Sequence, residues 1–359
     1  MRRTLTILVL TIASALLCVA QNNPTDGQRN RRRAPETFVT DTPMVHDPVM
    51  AYEDGTYYLF STGWGIQMMS SQNRKLWRKH TDVSRINTPE WAIDSVPGFR
   101  GHMWAPDVIR YAGKWWMAYS CSTFGRNTSA IGLASTPTLN PNDSVNYRWE
   151  DHGAIVCSRE GRDQWNAIDP CFVLDEKGEP WLTWGSFWDG IQLIRLNPET
   201  MHVVSGERPV TIARRIPMTD TLKVEANPTS KHAGRNAIEA PFVLRHGSYY
   251  YLFVSHDYCC RGMQSNYKVV VGRSKSICGP YLDRDGRDMT QGGGTLVIEG
   301  DKKEFEAAGH CAAYNLASFD PALPDEDIFI CHGYSISHGG QSILIQRTIR
   351  WTTDGWPEI

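Results

Sequence analysis

Four times along this chain a single acid stands among apolar residues next to Pro or Ala. Each time a strand-like run, a Gly-bearing turn and an aromatic-rich second run follow. The copies open with His46-Asp47-Pro48-Val49-Met50, Trp104-Ala105-Pro106-Asp107-Val108, Asn166-Ala167-Ile168-Asp169-Pro170 and Ile238-Glu239-Ala240-Pro241-Phe242. Their turns are Glu53-Asp54-Gly55, Ala112-Gly113, Glu176-Lys177-Gly178 and His246-Gly247. One such hairpin cannot bury its own apolar faces. Repeated about every 60 to 70 residues, hairpins of this kind stack radially as the blades of a propeller. Strand alternation dominates the chain and no convincing helical period interrupts it. From Gly309 to Trp356, strand-like runs at 328–332 and 343–351 recur without an acid-bearing opening, which predicts a fifth blade that opens differently. The expected fold is all-β: a single-domain, five-bladed β-propeller over residues 41–359, with about four strands per blade.

Composition narrows the function. A net charge of -2 leaves no basic footprint for nucleic acid. The aromatic content of 11%, with 13 Trp and 14 Tyr, suits pleated strands and offers flat apolar faces to sugar rings. Met1-Arg2-Arg3, the apolar stretch from Leu5 to Val19 and the exit Cys18-Val19-Ala20 read as a signal peptide over residues 1–20. That predicts export to the periplasm or beyond; lipid attachment at Cys18 is disfavoured by the bulky Leu17. The apolar run is too short for a transmembrane helix. Residues 21–40, polar and carrying Arg29, Arg31, Arg32 and Arg33, read as a flexible tether. Cys121, Cys157, Cys171, Cys311 and Cys331 lie in apolar runs and are expected as small core residues, with the neighbours Cys259-Cys260 expected to line a loop rather than to form a strained vicinal disulfide. The mature chain is expected to be a monomer.

Propeller blades begin at the central channel, so Asp47, Asp107, Asp169 and Glu239 should approach one another around the axis. Crowded carboxylates raise one another's pKa, and a protein that keeps them has a use for them. Two uses fit: holding a metal, or acid–base chemistry on a glycosidic bond. A single Asp-Pro is more often a strand cap or an ion-pair partner; the repetition favours function. Asp107 comes one place later in its motif, so strand alternation should turn it elsewhere, and a structural role is expected for it.

The four openings, together with Phe253-Val254-Ser255-His256-Asp257-Tyr258-Cys259-Cys260-Arg261-Gly262 and Val271-Gly272-Arg273-Ser274-Lys275-Ser276-Ile277-Cys278-Gly279-Pro280-Tyr281, resemble the ordered motifs of glycoside hydrolase family 43. The second pair of stretches resembles its endo-α-1,5-L-arabinanase branch, and the likeness spans residues 40–359. What the resemblance implies is hydrolysis of plant cell-wall arabinan or arabino-oligosaccharides with inversion. Asp47 would be the general base, Glu239 the general acid, and Asp169 the group that tunes and orients the acid. An inverting pair stands roughly 6.5 to 9.5 Å apart to admit a water. Trp104 and Phe124 resemble sugar-stacking residues, with core packing as the alternative; Asn166 would contact substrate, and Asn127 would make either a substrate or a loop hydrogen bond, its place at the head of the sequon Asn127-Thr128-Ser129 being a weaker pointer to glycosylation. His310 aligns with a histidine that reaches an axial, largely water-coordinated calcium. The surroundings depart from the family pattern, with Cys311 after His310 and a nearby strand reading Cys331-His332-Gly333-Tyr334.

Two rival readings remain at this stage. One is an exo-acting arabinofuranosidase or β-xylosidase of the same family, and the other a non-catalytic glycan-binding propeller. Retention of Asp47, Asp169 and Glu239 together weighs against the binding module.

Overall fold

Each hairpin forms where alternating bulky residues meet a turn that only glycine tolerates without strain. Val49–Glu53 pairs antiparallel with Thr56–Ser61, from Val49 opposite Phe60 to Glu53 opposite Thr56. Between them Gly55 has φ of 79°, a conformation that a Cβ would strain. The computed structural model describes residues 38–80, 86–217 and 234–359. The expected signal peptide and all but the end of the expected tether lie outside the described residues.

Five antiparallel sheets follow in chain order and build a five-bladed propeller. The first holds Val49–Glu53, Thr56–Ser61, Gln67–Ser71 and Trp77–His80. Its outer edge gains Val39–Thr40, which pairs with Arg78 and Trp77, so the last residues assigned to the tether are strand instead. Thr40 and Val39 find open backbone groups on that edge, and pairing satisfies them. The second blade runs from His102–Tyr111 to Glu150–Ser158, the third from Cys171–Leu174 to Val210–Ala213, and the fourth from Ile238–His246 to Thr295–Ile298. The fifth comprises Phe305–Asn315, Asp327–Ser335 and Gln341–Thr348. Its free edge is taken by the start of the chain: Val45 N–H donates to Ser342 O at 3.2 Å and Leu344 N–H to Pro43 O at 2.9 Å. The ring is thereby closed.

Apolar side chains from facing blades pack together. Trp116, Ile131 and Leu133 of the second blade meet Phe172, Leu182 and Trp184 of the third, and Val173, Ile191 and Leu193 meet Val243, Tyr250 and Leu252 of the fourth. Buried acids staple the same seams. Glu53 accepts from Trp115 Nε1 at 2.6 Å and Leu139 N–H at 2.7 Å, joining the first blade to the second. Cys121, Cys171, Cys311 and Cys331 are buried as expected, but Cys157 is exposed. It lies on an outermost strand with one face toward solvent, where apolar neighbours in sequence do not guarantee burial.

Candidate active site

Every blade enters the axis through one residue in the left-handed region: Asp47, Ala105, Asp169, Ala240 and His310, with φ of 57°, 42°, 58°, 55° and 50°. This bends the chain and turns the residue's N–H toward the preceding blade. Ala105 donates to Thr62 Oγ1 at 2.8 Å, Asp169 to Ser120 Oγ at 2.9 Å, His310 to Ser255 Oγ at 2.9 Å, and Asp47 to His332 Nδ1 at 3.1 Å. In the third blade the matching position is Gly185, whose N–H meets Ile168 O as that of Thr62 meets His46 O. Glycine has no acceptor to offer, and Ala240 N–H donates to Asp169 Oδ2 at 3.1 Å instead. A ring of backbone bends thus aims Asp47, Asp169 and His310 inward, with Glu239 one residue ahead of the bend in its own blade.

These side chains open onto one cleft of about 1120 Å³, whose lining includes Asp47, Trp104, Phe124, Asn166, Asp169, Glu239 and His310. Asp47 is held among imidazoles. Its Oδ1 lies 2.8 Å from His46 Nδ1 and 3.0 Å from His310 Nδ1, and its Oδ2 accepts from Thr62 Oγ1. Burial works against its ionisation, but the two histidines outweigh it and hold the carboxyl well below the usual range. Glu239 has neutral partners only: Oε2 accepts from Ser186 Oγ at 2.7 Å and Oε1 from Tyr267 OH at 2.8 Å. Burial pushes its pKa up against those two hydrogen bonds. Asp169 is also raised, by burial first and then by the charges of Glu239 and Asp47, while His310 pulls the other way.

The remaining expected residues divide. Phe124 is 77% exposed at the cleft, which removes core packing as its explanation. Trp104 is half-buried in the wall and its indole N–H donates to His102 Nδ1 at 2.9 Å. Asn166 is buried in the floor and accepts from Ser129 Oγ at 2.7 Å. Asn127, by contrast, is fully buried outside the cleft lining, and its amide donates to the carbonyls of Asp163 and Trp165 at 3.2 and 3.1 Å. It fixes the loop leading to Asn166 and offers nothing to a sugar or to a glycosylating enzyme in this fold. Asp107 is buried two residues beyond its bend, accepts from Phe172 N–H at 2.6 Å and staples the second blade to the third; burial raises it to about 6. His46, Thr62, Ser186, Tyr267 and Tyr334 complete the constellation; Thr62, Ser186 and Tyr267 carry no pattern in the sequence that marks them, and Tyr334 stood only in the strand Cys331-His332-Gly333-Tyr334. His46 had a signal, its place directly before Asp47.

His310 was the expected calcium ligand. Its Nδ1 is committed to Asp47, and no cluster of three ligating side chains among the described residues includes it. Calcium takes six to eight oxygens. A calcium ion beside His310 would therefore take most of its oxygens from water, as the resemblance implies; burial lowers the His310 pKa, but Asp47, Asp169 and Glu239 around it raise it overall.

A five-bladed propeller whose axial cleft gathers paired buried carboxylates in unlike surroundings is a glycoside hydrolase. The chain belongs to glycosyl hydrolases family 43, whose profile matches residues 42–357. It is similar to the extracellular exo-α-(1→5)-L-arabinofuranosidase of Cellvibrio japonicus, with 43% identity over 88% of this chain and 86% of that protein. It is also similar to the extracellular endo-α-(1→5)-L-arabinanase 1 of Bacillus subtilis, with 35% identity over 88% of this chain and 87% of that protein. Among solved structures, the α-L-arabinanase of Cellvibrio cellulosa complexed with arabinohexaose superposes with a TM-score of 0.80 at 42% identity, covering 88% of this chain and 95% of that one.

Proposed function

We propose that this protein cleaves α-1,5-linked L-arabinan with inversion, using Asp47 as general base and Glu239 as general acid. The observation that carries this reading is the contrast between two carboxyl groups in one cleft, one held well below the usual range by imidazoles and the other raised by burial against the hydrogen bonds of two hydroxyls. Environments that push paired carboxyls apart assign the acid and the base. Asp47 takes a proton from the attacking water, and Glu239 gives its proton to the departing glycosidic oxygen. Asp169 accepts the Ala240 N–H directly beside Glu239 and so fixes where the acid stands, which makes it a positioning residue. Trp104 and Phe124 supply flat faces for furanose rings. A calcium ion at His310 would draw its oxygens largely from water, and calorimetric titration of chelated protein with calcium, with activity followed alongside, tests for it.

We take the cleavage to be internal, because a cleft of about 1120 Å³ exceeds what one or two sugars fill. The exo reading has its own support in the 43% identity to a relative of that name. Both relatives are named extracellular, which supports export. Products from linear arabinan, arabinoxylan and nitrophenyl glycosides, compared side by side, decide among the readings. A ladder of arabino-oligosaccharides supports endo action, a single short product released from the first minutes supports exo action, and binding without release overturns catalysis. Proton NMR of the first-formed anomer tests inversion.

A further inference from the structure

Two thiols stand in the cleft wall that the reaction above does not use. Cys259 and Cys260 follow the strand Tyr249–His256, and Cys260 takes the left-handed conformation with φ of 62°. Its N–H donates to Tyr334 OH at 2.7 Å, which pins the turn. As a result the two sulfurs lie 2.6 Å apart, and Cys260 Sγ lies 3.7 Å from His46 Nε2. Cys259 Sγ, Cys260 Sγ and one ring nitrogen of His46 all fall within 4.8 Å of one another. Cys260 is exposed, and no disulfide bond joins it to Cys259.

The orientation of His46 is the second, independent observation. Its Nδ1 faces Asp47 Oδ1 at 2.8 Å, and this turns its Nε2 toward Tyr334 OH, 2.9 Å away, and toward Cys260. Histidines that ligate metals are held in this way, one nitrogen on a carboxylate and the other on the ion. Two sulfurs and an imidazole select a soft or borderline divalent ion, and they disfavour the hard ions calcium and magnesium. Three protein ligands leave a fourth tetrahedral position open on the cleft side.

We propose that Cys259, Cys260 and His46 form a site for a thiophilic divalent cation of the zinc class, and that filling it inhibits the hydrolase. Binding is an exchange: the protons carried by the two sulfurs and by His46 Nε2 pass to solvent as the metal–sulfur and metal–nitrogen bonds form, with no change of oxidation state. With metal–sulfur bonds of about 2.3 Å, the two sulfurs must separate beyond their present contact, which the exposed Cys260 side chain achieves by changing rotamer. Inhibition follows because the ion draws His46 Nε2 away from Tyr334, sets positive charge behind the Asp47 carboxylate and narrows the cleft.

The test uses the full-length protein, reduced and with its thiols counted by Ellman's reagent. Zinc chloride is titrated calorimetrically, and cadmium chloride is followed by thiolate-to-metal absorption in the ultraviolet. The expected results are one equivalent of metal per chain, a cadmium–thiolate band, and at least a tenfold loss of arabinan hydrolysis that EDTA reverses. The double variant Cys259→Ser, Cys260→Ser should lose the band and the equivalent, and should hydrolyse arabinan regardless of zinc. If circular dichroism shows that variant misfolded, native protein alkylated with iodoacetamide takes its place and must likewise bind none. Failure of the reduced protein to bind either metal, or equal binding by the thiol-blocked protein, overturns the site. Both binding readouts are independent of which glycan the enzyme cleaves.

Discussion

At the scale of single residues, the division of labour between two carboxylates makes two predictions. Glu239→Gln keeps the shape of the acid and lets its amide oxygen accept from one of Ser186 and Tyr267 while its NH2 donates to the other, but it removes the transferable proton, so kcat on linear arabinan should fall by about 10²- to 10⁴-fold with the circular dichroism spectrum unchanged. Near wild-type activity would remove Glu239 from the reaction. The second prediction concerns pH. Glu239 acts when protonated, so its raised pKa sets the alkaline limb of the kcat/KM profile above the ordinary carboxyl range, while the depressed pKa of Asp47 moves the acid limb below it. The Tyr267 hydroxyl donates to the Glu239 carboxylate and favours its ionised form. Tyr267→Phe should therefore raise the Glu239 pKa further and shift the alkaline limb to higher pH, a direction that a merely structural loss would not give. The three acids were legible because each interrupts an apolar run beside Pro or Ala. Tyr267 and Ser186 were not, because they reach Glu239 from 28 and 53 residues away and no local rule marks a hydroxyl for that job.

At the scale of the element, the five left-handed bends explain why the site could be read only in part. The repeat predicted a hairpin mouth at every blade, and the mouths are there. What strand alternation alone could not supply was the bend itself, which reorients Asp47 and Asp169 and leaves Asp107, two residues past Ala105, inside a blade seam. The fifth blade carries the variation furthest. Where the other blades hold His46, Trp104, Ile168 and Glu239 before the bend, it holds Gly309, and the Tyr267 ring fills the vacated space. A Cβ built on Gly309 would lie 2.1 Å from Tyr267 Cδ1. Gly309→Ala should therefore push Tyr267 off Glu239 and overpack the axis, costing about 1–3 kcal/mol in chemical denaturation. Its alkaline limb should shift in the same sense as that of Tyr267→Phe. A variant with wild-type stability and pH profile would show that the ring has room to move and that the glycine is incidental.

At the scale of the whole molecule, ring closure and the catalytic base share one short segment. Residues 43–45 complete the edge of the fifth blade, and two residues later the chain bends to present Asp47, whose own N–H is held by His332 of that blade. No feature of the sequence announced this latch, since Pro43, Met44 and Val45 read only as the approach to the Asp47 motif of the first blade. Closing a propeller removes the open sheet edges that would otherwise be left unpaired. The latch should therefore be the weakest seam and the one to which activity is most sensitive. Leu344→Pro isolates it, because the Leu344 N–H donates to Pro43 O, away from the neighbouring strand within its own blade, so proline deletes a closure bond. The expected cost is about 1 kcal/mol, from one hydrogen bond of ordinary net worth. Hydrolysis of arabinan should fail on heating several degrees before the far-ultraviolet circular dichroism transition, whereas in the wild type the two midpoints should lie closer together. Coincident midpoints in the variant would mean that the ring opens only with global unfolding and that the latch does not govern the site.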